Sequence, residues 1–292
     1  VKNSLSKSSL DCESLYEAEY MAANTQCMPA LQALKQKDLT KIDFETSKRF
    51  YHESFSNPAD FTLVIVGCFD LESIQPIINR RLGSIPAKGK AKEFAQNSTF
   101  SFPKGITHKI VHIPSRNDSL TRITLPLTVS LNEKNISSFE YVCQVIEARL
   151  RKVITDQMNL SYGIDVAYEF PLYPAMSNPW ISIQFRCDQK KIDALTHTIL
   201  NEVKHLQKDG PSEDEVNQVK EYQSSSDEFW LNDNYYWVSI LANFYMWKWN
   251  PELLKQQWEG TRQIERELVV EILKTYFDLS NYSIVTAKPK SK

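Results

Sequence analysis

The spacing of apolar residues changes several times along this chain, and each change marks an element. Between residues 10 and 35, Leu10, Leu15, Met21, Leu31 and Leu34 recur loosely at helical spacing. Asp43 stands at an N-cap position ahead of Phe44, Tyr51 and Phe55, which recur near the 3.6 period. The run from Phe61 to Gly67 is apolar and rich in β-branched residues, which predicts a strand covered on both faces. Asp70 then opens a helix with Leu71, Ile74, Ile77, Ile78 and Leu82 on one stripe, and Gly83 stops it.

Residues 87–105 carry no period and read as a linker rich in Lys, Ser, Asn and Thr. Beyond them two strands are expected near 107–113 and 121–130. Ser137 and Glu140 have the spacing of a capping box, and the helix they open places Val142, Cys143, Ile146, Leu150 and Val153 on one face. Strict alternation at Tyr162, Ile164, Val166, Tyr168 and Phe170, and again at Ile181, Ile183, Phe185 and Cys187, predicts a hairpin. A helix follows from Ile192 to Leu206 and is stopped by Gly210-Pro211. Ser212 and Glu215 form a second capping box, an aromatic-rich helical stretch runs to about Trp249, and a helix near 262–277 leads to a closing strand at 282–286. The order β-β-α-β-β-α-α-α-β points to an α+β fold, a mostly antiparallel sheet backed by helices. Residues 1–86 hold one predicted strand only, and one strand cannot make a sheet. They read as the C-terminal part of a preceding α+β repeat, with 106–292 as one complete repeat.

Composition narrows the function. The 292 residues carry 34 basic and 36 acidic side chains, so no basic excess announces nucleic acid. The seven glycines do not cluster into a phosphate cradle. The longest apolar run, Phe61–Phe69, is far short of the roughly 20 residues of a membrane span. The five cysteines are odd in number and include no C-x-x-C, so neither a disulfide framework nor a thiolate zinc site follows. Cys68, Cys143 and Cys187 sit among apolar neighbours and read as core residues. This usage favours a reducing compartment and leaves the periplasm open. The polar start, Val1-Lys2-Asn3-Ser4, lacks a signal-like apolar block and suggests a fragment of something longer.

Candidate chemistry is sparse. His108 and His112 have the i, i+4 spacing of a zinc pair on a helix, but they fall in a predicted strand with no Glu beside them. His197 and His205 are too far apart to share an ion, and no G-x-S-x-G elbow occurs. Glu213-Asp214-Glu215 suits a helix first turn without catalysis. The stretch Phe229–Trp258 holds five of the six tryptophans and reads first as helix packing, second as an apolar wall for an unfolded peptide or a partner domain. Tyr162 begins a strand beside Gly163, where a phenol can be core or can face a cleft.

Several stretches together resemble the insulinase/pitrilysin family of zinc metallopeptidases, in its PqqL-like branch. They are Phe50–Asp70, Leu82-Gly83-Ser84-Ile85-Pro86, Leu160-Ser161-Tyr162-Gly163 and Gly210–Val216. The resemblance implies the LuxS/MPP-like metallopeptidase sandwich, built as tandem repeats in two halves that close around a peptide. The family's zinc helix, with its inverted H-x-x-E-H, is absent from this sequence. The implied identity is therefore the C-terminal, non-zinc half: no metal or cofactor in this chain, zinc in a missing N-terminal half, that half or a paired subunit as partner, and a peptide as substrate.

The resemblance also implies an arginine and a tyrosine seven residues apart in the substrate cleft. The tyrosine falls on Tyr162, expected with Gly163 to bind substrate and to donate to a developing oxyanion. The arginine position falls on Thr155, which cannot replace a guanidinium. Arg151 and Lys152, one turn earlier, are the candidates to substitute. Proteolysis is expected in the full-length protein and none from this chain alone. The rival expectations are a catalytically dead homologue acting as scaffold, and an unrelated α+β binding domain.

Overall fold

The computed structural model describes residues 12–25, 40–91, 101–113, 118–129, 132, 135–158, 163–169, 178–254 and 265–289. Its helices are α1 (Cys12–Asn24), α2 (Phe44–Phe55), α3 (Leu71–Arg81), α4 (Ile136–Met158), α5 (Ile192–Asp209), α6 (Glu213–Trp230), α7 (Asn234–Trp247) and α8 (Arg266–Tyr276). Its strands are β1 (Ile106–Ile113), β2 (Ser119–Pro126), β3 (Ile164–Glu169), β4 (Trp180–Cys187) and β5 (Tyr282–Pro289). They form one sheet in the order β1-β5-β2-β4-β3. Only β1 and β5 run parallel; the remaining pairs are antiparallel, including the expected hairpin of β3 and β4. The fold is α+β, a mostly antiparallel sheet under helices.

The core follows from the period-2 pattern. Ile123 and Leu125 of β2, Ile181, Ile183 and Phe185 of β4 and Ile284 of β5 turn toward α4, α5 and α8. There they meet Val142, Ile146, Leu150, Leu195, Ile199, Val203, Val269 and Leu273, all essentially without solvent contact. The opposite face of the sheet is covered by α1. Tyr16 and Tyr20, one turn apart on that helix, pack with Ile113, Leu120, Val285 and Ala287. This explains why β2 is buried on both faces rather than alternating.

Side chains lock α1 in place. The Tyr16 hydroxyl donates to the Val285 carbonyl at 2.8 Å, and the Tyr20 hydroxyl shares a 2.9 Å hydrogen bond with Thr124 Oγ1. The Arg122 guanidinium lies 4.3 Å from the Tyr20 ring centroid, pairs with Glu17 at 3.2 Å, and donates to Gln184 Oε1.

Caps account for several helix starts. Asp43 and Asp70 accept from the N–H groups of Thr46 and Ser73, as expected. The Ser212–Glu215 capping box is present, with the Ser212 N–H donating to Glu215 at 2.8 Å. The expected box at Ser137 and Glu140 is not formed. Helix α4 begins at Ile136, so Ser137 already lies inside the helix and Glu140 is free to face α6 and α7.

Three other expectations change. Residues 61–66 are not a strand, because no described strand lies beside them to pair their backbone groups, and Leu63 and Ile65 are exposed. Cys68 is exposed rather than in the core, while Cys143 and Cys187 are buried. The aromatic stretch is not a packed layer: α7 buries only Phe244, and Phe229, Trp230, Tyr235 and Tyr245 are exposed. Trp258 lies outside the described residues.

Candidate functional site

The expected site sits where α4 hands over to the edge strand β3. Tyr162 lies outside the described residues, and Gly163 is the first residue described after the helix. Gly163 is exposed. A Cβ placed on it would meet nothing within 4 Å, so the space beside its Cα is open. Its carbonyl accepts the Arg186 N–H at 3.4 Å, which extends the β3–β4 pairing by one position.

That pairing fixes which groups of β3 point outward. In an antiparallel pair, alternate residues bond the neighbour and the others face away. Gly163, Asp165 and Ala167 face β4, so Ile164, Val166 and Tyr168 turn their backbone groups to the open edge. The edge is partly occupied: the Val166 N–H donates to Glu147 Oε2 at 3.0 Å. The other Glu147 oxygen holds Arg151, 2.8 Å from its Nη2. One turn of α4 is thereby tied to β3 through a single carboxylate. Thr155, one further turn along, is exposed, and so is Lys152. The structure therefore brings Arg151 to the side of β3, one turn before the position that Thr155 fills. Glu147 was not singled out in the sequence; its only signal is the i, i+4 spacing from Arg151.

A second ionic group holds the helices behind the site. The Arg149 Nε donates to Glu215 Oε1, its Nη2 donates to Oε2 at 2.6 Å, and its Nη1 lies 3.5 Å from Glu202. Burial alone would raise the Glu215 pKa. The bonds from Arg149 and Ser212 outweigh it and hold the carboxyl at about 2.

The remaining candidates are dispersed. His52, His108, His112, His197 and His205 are all exposed, and His108 and His112 lie on the edge strand β1 as the pattern implied. Among the described residues no group of three or more His, Cys, Asp or Glu could hold a metal, so these residues do not fit zinc. Burial drives the Cys143 thiol well above its usual pKa and pushes Cys187 up to about 11, which leaves neither as a nucleophile. No described helix is long and apolar enough to cross a membrane.

Residues 31–222 match the family described as the peptidase M16 inactive domain. The chain belongs to that family. The M16 chain is 24% identical over 225 residues to a protein named zinc protease PQQL-like from Arabidopsis thaliana, covering 73% of this chain and 23% of that protein. It is 26% identical over 274 residues to the probable zinc protease PqqL of Escherichia coli K12, covering 90% of this chain and 28% of that protein. The chain thus spans about a quarter of the length of these curated relatives. A crystal structure of a peptidase M16 inactive domain from Pseudomonas fluorescens shares the fold, with a TM-score of 0.80 at 18% identity, covering 99% of this chain and 70% of that one. These comparisons bear out the resemblance to the insulinase-type, PqqL-like family.

Proposed function

We propose that this chain is the non-zinc part of an M16 zinc metallopeptidase, which completes the substrate chamber, binds peptide and has no activity alone. The observation that carries this reading is the outward-facing backbone of Ile164 at the head of an edge strand, beside the exposed Gly163 and the position of Tyr162. An extended peptide can add to such an edge through main-chain hydrogen bonds. Glu147 occupies the donor at Val166, so pairing is directed to the Gly163 end of β3. There the Tyr162 hydroxyl donates to the oxyanion that develops on the scissile carbonyl. Arg151 supplies the nearby positive charge that Thr155 does not. Zinc, held by the partner half, would supply the activation of water.

In this reading residues 1–86 are the C-terminal part of a preceding repeat, 87–105 the linker and 106–292 the complete final repeat. The exposed apolar side chains of α2, α3 and their flanks, among them Phe44, Phe50, Leu63 and Leu71, support it, since a finished layer would cover them.

The test is peptidase activity on an unfolded peptide in the presence of zinc, using this chain, the zinc-bearing half, and their mixture. Activity in the mixture only, reduced by Tyr162→Phe, is the expected result. Activity of the zinc-bearing half unchanged by this chain would sink the proposal.

A second reading rests on Thr155. An uncharged side chain at that position favours a catalytically dead member of the family that acts as scaffold. Peptide binding by the mixture without hydrolysis would select it.

A further inference from the structure

A cavity of about 410 Å³ opens between the first turns of α4, the second half of α6, and α7. It is on the helical side of the sheet, away from α1. Its volume is within the range of small-ligand sites, about 300–1,000 Å³. Its walls combine aromatic rings, Trp230, Tyr236, Trp247 and Trp249, with two carboxyls, Glu140 and Asp227. No Lys, Arg or His lines it.

The hydrogen bonding of the wall is directional. Asp227 is 7% exposed, and its Oδ1 accepts from Gln223 Nε2 at 2.8 Å. A carboxylate only accepts, so it fixes the Gln223 amide with its oxygen pointing back, where it accepts from Gln144 Nε2 at 2.8 Å. The chain of amides ends with two buried atoms that have no partner, Asp227 Oδ2 and Gln144 Oε1. Both are acceptors. These two acceptors call for a donor, and the two carboxyls, with no basic side chain in the wall, call for a positive one. Leaving such acceptors unpaired costs about 1–3 kcal/mol each.

We infer that this cavity is a binding site for an organic cation, a guanidinium or ammonium head on an alkyl stem. The head satisfies Asp227 Oδ2 and Gln144 Oε1, and the aromatic walls take the stem and favour the charge. A hard metal ion is a poor fit, because calcium takes about 6–8 oxygen ligands and the wall offers two carboxyls among indoles. This site is independent of the Gly163 edge and stands or falls separately from the peptidase reading.

The test is a titration of the full chain with n-butylguanidinium, followed by tryptophan fluorescence and calorimetry, with n-butylurea as the neutral isostere. Saturable binding of the cation is expected, with the urea weaker by about tenfold or more, a difference of about 1.4 kcal/mol. Asp227→Asn should lose binding by a similar factor. This variant removes a buried charge that faces no basic side chain and keeps an oxygen to accept from Gln223, so its melting temperature should not fall, and Glu140→Gln provides a second check if it does. An arginine-containing peptide compared with its citrulline counterpart decides whether the cation is a peptide side chain or a free amine. Equal binding of guanidinium and urea, no saturable binding, or full affinity retained in both carboxyl variants would overturn the inference.

Discussion

Glu147 Oε2 accepts the Val166 backbone N–H at 3.0 Å while the same carboxylate pairs with Arg151. The bond does two things. It docks α4 against the edge strand, and it fills one of the outward donors that would otherwise template a foreign strand. Glu147→Ala should therefore destabilise the chain by about 1–3 kcal/mol, the cost of an unsatisfied strand donor. Arg151→Ala removes only a half-exposed ion pair and should cost under about 1 kcal/mol. Urea denaturation of both variants checks the contrast, and faster amide exchange at Val166 in the first but not the second assigns it. Equal losses would mean that the ion pair, not the strand contact, carries the effect.

Acid should loosen the contact between α4 and α6. Glu215 titrates near 2 in the folded chain against an ordinary 4.5, so its pairing with Arg149 stabilises fully above about pH 4.5 and is lost as pH falls toward 2. The shift corresponds to about 3 kcal/mol at most. In Glu215→Gln this part of the acid sensitivity should vanish, seen as a stability difference from the parent that shrinks steadily between pH 4.5 and 2. Arg149→Leu should be worse than either, about 3–5 kcal/mol, because it strands a buried carboxylate. A pH-independent difference between parent and Glu215→Gln would refute the pairing as the source.

Helix α1 should respond to Tyr20 and Arg122 specifically. Tyr20→Phe leaves Thr124 Oγ1, which is fully buried, without its partner, for about 1–3 kcal/mol. Burial also raises the pKa values of Tyr16 and Tyr20 above 10.0. The folded chain thus favours the neutral phenols, and this stabilisation is complete below pH 10.0 and declines as pH rises beyond it. Hydrogen exchange should show α1 opening first in Tyr20→Phe and in Arg122→Met, ahead of the amides of β4. Protection in α1 unchanged by both variants would show that the apolar contacts of Tyr16 suffice.

How far the chain could be read in advance depends on what each pattern reports. The alternation at Ile164–Tyr168 and Ile181–Cys187 gave the hairpin correctly, because both strands bury one face on α4 and the period survives. The Phe61–Gly67 run has the composition of a strand, but strand formation needs a neighbour, and a neighbour is not a property of the run. Ser137–Glu140 spells a capping box only when the helix begins after Ser137, and the helix begins at Ile136. That shift of register is what turned Glu140 from a cap into a cavity residue. The acceptor pair of Gln144 and Asp227 was out of reach, since the partners lie on different helices and their orientation is set by hydrogen bonds in space. Thr155 and Gly163 were named only through the resemblance to a known family, and Arg151 as the nearest cation to Thr155; no periodicity of the chain itself marks them.

The thiols give a direct check on the corrected position of Cys68. In a variant with Cys12 and Cys27 replaced by serine, three thiols remain, one exposed and two buried. Cys68 should react with a maleimide in the folded chain, because it is exposed to the reagent. Cys143 and Cys187 should stay unmodified until urea unfolds the chain, since burial both raises their pKa and bars the reagent. The labelling ratio of native to unfolded protein then reports burial without reference to stability. If the proposed preceding repeat covers the apolar side chains around Phe61–Phe69, a longer chain that includes it should slow Cys68 labelling while the other two thiols stay silent. Unchanged labelling of Cys68 in the longer chain would argue that this face is solvent-exposed in the full protein and would remove the main support for reading residues 1–86 as part of a larger layer.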